Sequence, residues 1–302
     1  MSHSSTSRVL GVGIALTLLA RAGLAAQTAP AQAAPAAPRS ELLTVTSKDG
    51  TRIGFECAGA GPTLLFVHGG VGDHTRWMPM APLLASKFTV CAMDRRGRGN
   101  SGDSPDYSLA KEAQDIVAVV ESRPTPVVVL GHSYGGVAAL EAALLTTRIS
   151  RLILYEAPLF EPAEDSLAAA VTIEALVEKG QPEEALVAFQ RDIVKQSAEE
   201  LARMKTRPTW PGLVATIGKH PRQLRALAAY RFDAARMKAV TTPTLLLIGE
   251  KTTSPYAKQS IAALRDSLPH PTLVVLEGQQ HNAMDAGRDT LAKAILDFAA
   301  IP

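Results

Sequence analysis

The stretch "VVVLGHSYGGVAALEAALL", Val127 to Leu145, runs from a short, unbroken apolar segment through a glycine-flanked serine into a sequence rich in alanine and leucine. The four apolar residues before Gly131 suit a buried strand, and the residues after Gly135 suit a helix. Between them, Gly131-His132-Ser133-Tyr134-Gly135 is G-x-S-x-G in the strand, tight turn, helix setting that this pattern needs to carry chemistry. Such a turn forces the serine into strained backbone, so the positions two before and two after it must be small. Ser133 then stands at a helix N-terminus, where the backbone N–H of Tyr134 can meet developing negative charge.

Working outward, apolar runs recur: "LLTVT", "RIGFEC", "TLLFV", "FTVCAM", "LILY", "TLLLI" and "TLVVL". Most are short and continuously apolar, as strands covered on both faces are. The first two read as a hairpin about Asp49-Gly50. Later strands alternate with helix-length segments at 108–122, 135–147, 256–267 and 289–300, which implies an α/β fold with a mostly parallel sheet and helices on both faces. The departure is 159–240, which lacks strand signals and reads as amphipathic helices punctuated by Gly180, Pro182, Pro208, Pro211 and Pro221. It is too long for a loop and is expected to be a helical cap inserted into a core of 41–158 and 241–302.

With 302 residues, 46% of them hydrophobic and 20% charged, the chain can bury a large core. Residues 1–26 combine Arg8, an apolar run from Val9 to Ala20 and small residues near Gly23 to Ala26, the pattern of a secretory signal peptide. That run is too short to cross a bilayer core, which needs roughly 20 residues, so no stable membrane anchor is expected. Residues 27–40 read as an Ala/Pro-rich linker, and the mature protein is expected in the periplasm or outside the cell. The formal charge of +2 includes Arg8 and Arg21, and no basic patch points to nucleic acid. Cys57 and Cys91 would meet an oxidising compartment after export.

Beyond the serine motif, "TLLFVHGG" and "VCAMDRRGRGNSG" complete a set that resembles the α/β-hydrolase superfamily from about Glu41 to the C-terminus. The resemblance implies an eight-stranded sheet, Ser133 as nucleophile, His68-Gly69-Gly70 as the oxyanion-loop motif, and Asp94 to Ser101 as the loop after the fourth strand. By position it places the oxyanion hole on the N–H groups of Gly70 and Tyr134, with Val71 as a lesser candidate. The family strand order 1-2-4-3-5-6-7-8 puts Cys57 and Cys91 on neighbouring strands, which leaves a disulfide open beside the alternative of two free thiols.

Among seven histidines, His281 follows the last strand, where the family keeps its catalytic base. The acid is less direct. Most members carry an aspartate after the seventh strand, but "LLLIGEKTTSPY" has none, and Glu250 comes a position or two early. A minority place the acid after the sixth strand, and "LILYEAP" resembles that arrangement with Glu156. A carboxylate ending an apolar strand is unfavourable unless paired and hydrogen-bonded. Glu156 is therefore the expected acid and Glu250 the runner-up.

These residues imply a serine hydrolase cleaving a small carboxylic ester through a Ser-His-Glu triad and an acyl-enzyme, calling for no metal or organic cofactor. Lactonase, thioesterase, C–C hydrolase and perhydrolase chemistry fit the same residues, and a non-catalytic ligand-binding protein of this fold is the alternative from another class. Trp77, Met78 and Trp210 are expected to line the substrate pocket, with Phe189 a further aromatic candidate in the cap. Arg76, Arg95 and Arg96 read as surface or loop-anchoring residues.

Overall fold

A computed structural model describes residues 40–300; the expected signal peptide and nearly all of the linker lie outside the described residues. Eight strands form one sheet: β1 (Ser40–Thr46), β2 (Arg52–Gly59), β3 (Thr63–Val67), β4 (Thr89–Met93), β5 (Val127–His132), β6 (Ile149–Tyr155), β7 (Thr244–Gly249) and β8 (Pro271–Leu276). Their order is β1-β2-β4-β3-β5-β6-β7-β8, with β1 and β2 forming the antiparallel hairpin, β2 antiparallel to β4, and the remaining pairs parallel.

Alternation along the strands divides the core into two layers. Leu65, Val67 and Val129 face the helices Leu109–Glu121 and Tyr134–Ala143, packing with Ile116, Val119 and Leu140. Leu64, Phe66 and Val128 face the other way, onto Trp77, Leu84 and the helix Arg288–Ala299. Both faces are therefore apolar, which is why these strands read as unbroken hydrophobic runs.

Between β6 and β7 the chain runs through the helices Ala163–Glu178, Pro182–Asp192, Ala198–Lys205, Trp210–Thr216 and His220–Ala229. They enclose a third apolar cluster that includes Ile173, Leu186, Phe189, Met204, Trp210 and Leu224. Ion pairs fasten this cap to the strand-carboxyl edge of the sheet. Arg222 and Lys219 meet Asp103, and Arg207 reaches Asp285 just past His281.

Arg76, Arg95 and Arg96 are buried, which corrects the surface half of their reading and leaves the loop-anchoring half: Arg95 holds the Gly69 carbonyl and Arg76 holds Asn282. Arg95 pairs with Glu112, Arg96 with Asp115 and Asp49, and Arg76 with Asp285. Each guanidinium is tolerated in the interior because its carboxylate comes with it.

Cys57 and Cys91 stand opposite each other in the β2–β4 register and are joined by a disulfide that closes a sequence separation of 34 residues. Constraining a loop of this size in the unfolded chain is worth about 2–4 kcal/mol. A Cys57→Ala/Cys91→Ala double variant should lose that much in urea titration, and midpoints coinciding with wild type would show that the bridge contributes nothing.

Candidate active site

The serine turn is built by close packing. Ser133 follows β5 at φ 53° and ψ −128°, a strained conformation for a non-glycine residue, and the helix Tyr134–Ala143 starts immediately after it. A Cβ on Gly131 would fall 2.5 Å from the Gly135 carbonyl oxygen, and one on Gly135 would collide with the His68 carbonyl oxygen. Both neighbours must therefore be glycine for β5, β3 and the helix to approach so closely. As the first residue of the helix, Tyr134 has an N–H with no intrahelical acceptor.

Glu156 follows directly on β6, at φ 47°, with its side chain almost fully buried. Its Oε2 lies 2.7 Å from His281 Nδ1. Its Oε1 accepts from the Gly249 N–H at 2.9 Å and from the Thr252 hydroxyl at 2.5 Å. Burial alone would push this carboxyl up, but the His281 bond and charge, with the Thr252 and Gly249 donors, outweigh it and hold the carboxyl below its usual range. The turn after β7, which lacks the expected aspartate, thus supplies the donors that seat the glutamate of β6.

Glu250 lies on the exposed side of that turn, where it accepts from the Gly278 N–H at 2.8 Å. It does not join Glu156 and His281. The loop carrying His281 is fixed from beneath: the Tyr155 hydroxyl bonds to the Gln280 carbonyl and accepts from the Ala283 N–H at 3.2 Å, while His132 Nε2 bonds to the His281 carbonyl at 2.8 Å. Burial, aided by nearby positive groups, lowers the His132 pKa well below its usual value, so the ring is neutral and donates from Nε2.

The oxyanion-loop motif is held by its carbonyls. Gly69 O accepts from Arg95 Nη1 at 2.6 Å and from His68 Nδ1 at 2.8 Å. In a trans peptide the following N–H points the opposite way, so these two donors fix the direction of the Gly70 N–H. Gly70 O in turn meets Arg98 Nη2 and His220 Nδ1, both at 3.1 Å. Gly70 lines the same cleft as Ser133, Tyr134, Glu156 and His281, whereas Val71 packs into the apolar cluster of the cap. No hydrogen bond joins Ser133 to His281 among the described residues; in enzymes without substrate this contact is often long and closes on binding.

Three of the expected pocket residues do not line this cleft. Trp77 is fully buried in the lower core, its ring stacked on Phe66 at 4.7 Å, and Met78 packs against the same cluster. Trp210 is buried in the cap, where its indole N–H donates to Glu183. An aromatic residue in an amphipathic helix carries no sign of whether its buried face meets ligand or core. The cleft is lined instead by Phe189, Ile193, Val194, Leu224 and Tyr256, together with His220 and Glu161.

Glu161 was not singled out by the sequence and His220 only as one of seven histidines, since both lie in stretches rich in charged residues, "FEPAED" and "GKHPRQLR", that carry no mark of a cleft. Glu161 Oε1 is buried without a hydrogen-bond partner among the described residues, and burial, reinforced by Asp165 and opposed by Lys195, pushes its carboxyl up to about 7. Because the folded value lies above the ordinary 4.5, the native state loses stability relative to the unfolded chain as pH rises from 4.5 through about 7. In Glu161→Gln that loss should disappear, so thermal melts at about pH 5 and pH 8 should show the Tm difference shifting in favour of the variant at the higher pH.

A model of the alpha/beta hydrolase family matches residues 64–294. Among solved structures, an alpha/beta hydrolase from Sphaerobacter thermophilus is 31% identical with a TM-score of 0.74, covering 85% of this chain and 100% of that one. A thermophilic esterase from Thermogutta terrifontis (21% identical, TM-score 0.69, covering 86% and 98%) and an enol-lactonase from Burkholderia xenovorans (18%, 0.72, covering 86% and 100%) share the fold. The uncharacterized protein Rv2715 of Mycobacterium tuberculosis is 39% identical over 129 residues, 40% of this chain. The chain spans about a third of that curated relative's length, 36%. With the family model covering most of the chain, and with the strand order, the serine turn and the His68-Gly69-Gly70 loop in place, the chain belongs to the alpha/beta hydrolase family.

Proposed function

We propose that the protein is a serine hydrolase acting on a carboxylic ester, with Ser133, His281 and Glu156 as its triad. The observation that carries this reading is the 2.7 Å contact between Glu156 Oε2 and His281 Nδ1 in the cleft that Ser133 lines. A carboxylate there fixes the tautomer in which Nδ1 carries the proton and Nε2 is free to accept one.

The Ser133 hydroxyl attacks the ester carbonyl carbon as His281 Nε2 takes its proton. The carbonyl oxygen becomes an oxyanion facing the N–H groups of Gly70 and Tyr134, each such donor being worth about 3–4 kcal/mol in the transition state. The intermediate collapses, His281 returns the proton to the departing alkoxide, and an acyl-serine remains. Water, deprotonated by His281, then attacks the acyl carbon and releases the carboxylic acid, restoring the serine. Glu156 stays ionised throughout and balances the imidazolium. An exported, oxidising setting belongs to the same proposal, and the Cys57–Cys91 disulfide supports it.

Glu156→Gln keeps the shape but favours the wrong histidine tautomer, so kcat on p-nitrophenyl acetate should fall about 10³- to 10⁴-fold, whereas Glu250→Gln should leave it unchanged. The reverse pattern would reassign the acid. A fluorophosphonate should label wild type at Ser133 and leave Ser133→Ala unlabelled; folded wild type that resists labelling would make this a binding protein and not a hydrolase.

A further inference from the structure

The cleft holds two carboxylates with opposite fates. Glu156 is bonded through both oxygens to Gly249, Thr252 and His281. Glu161, six residues past the end of β6, has a buried Oε1 with no partner among the described residues. Burying a carboxyl without a partner is unfavourable, most of all in its charged form, so Glu161 on a cleft wall calls for an occupant that brings a compensating positive charge.

The surroundings indicate the occupant's charge. Asp165 acts on Glu161 with the same sign and Lys195 with the opposite one, but no group among the described residues pairs with its Oε1. With its carboxyl pushed up to about 7, Glu161 is only partly ionised at neutral pH, and a cation arriving beside it would draw the proton off and gain a full charge partner. The neighbouring wall contributes two aromatic rings, Phe189 and Tyr256, beside Ile193, Val194 and Leu224. A carboxylate and aromatic side chains lining one largely apolar cleft are the chemistry that holds an alkylated ammonium group.

We propose that Glu161 is a specificity-determining residue that selects esters carrying a cationic nitrogen, such as a trimethylammonium group, away from the scissile carbonyl. The inference rests on the proposed ester hydrolysis for its meaning as substrate choice, but the recognition itself does not need turnover. Glu161 contributes no step to the chemistry; it holds the end of the substrate that does not react, and binding energy gained there orients the carbonyl against Ser133.

Choline and 3,3-dimethylbutan-1-ol have the same shape and differ in charge, so the ratio of their dissociation constants isolates the contribution of the cation. Titration calorimetry on the wild-type chain should find choline bound at least tenfold more tightly. In Glu161→Gln, and equally in Glu161→Leu in case one variant fails to fold, the two ligands should bind within about twofold of each other. Equal binding of both ligands to wild type, or a choline preference that survives in a folded variant, would overturn the proposal. Fluorophosphonate labelling of the same wild-type sample separates the two readings: a protein that binds choline but does not label loses the hydrolase reading alone, and one that labels without preferring choline loses the Glu161 reading alone.

Discussion

A carboxylate cannot sit in a protein interior by itself, and the arrangement of the candidate site follows from how Glu156 is accommodated. Two donors from the end of β7 take one oxygen, and His281 takes the other. To bring those three groups to the end of β6, the β7 turn must come close above the sheet edge and the loop after β8 must fold back over it. The Tyr155 and His132 contacts that hold this loop also belong to the ends of β6 and β5. The site is thus set by four adjacent strand ends, the place where an open parallel sheet presents its crevice.

Much of this was readable in advance because it is local or periodic. The strand and helix on either side of Ser133 announce themselves by composition, and the glycines at 131 and 135 by the space the turn lacks. Glu156 was readable for a different reason: an expensive residue at the end of an apolar strand, set against a β7 turn without an aspartate, leaves few ways to satisfy both. What could not be read was how that turn would be reused. Gly249 and Thr252 donate through a backbone N–H and a short hydroxyl, groups too common to mark a sequence.

The cap was the least legible part. Its helices were recognisable from their spacing and punctuation, but periodicity reports which face is buried and not what lies against it. Trp77 and Trp210, the residues with most apolar surface to offer, went to the packing of the core and of the cap, and Phe189 and Tyr256 line the cleft with smaller aliphatic residues. His220 meets Gly70 across 150 positions of sequence, a pairing that only the folded chain creates. The same holds for Arg95, whose charge looked like a surface feature until Glu112 and the Gly69 carbonyl were brought to it.

The seat that the 249–252 turn makes for Glu156 limits what the turn itself can carry. An aspartate introduced there would place a second negative group beside one already lacking solvent, while loss of Glu156 first would leave the imidazole unguided. Two carboxylates at those neighbouring strand ends would compete for the same two donors, so the turn that seats Glu156 is also what keeps a second acid out.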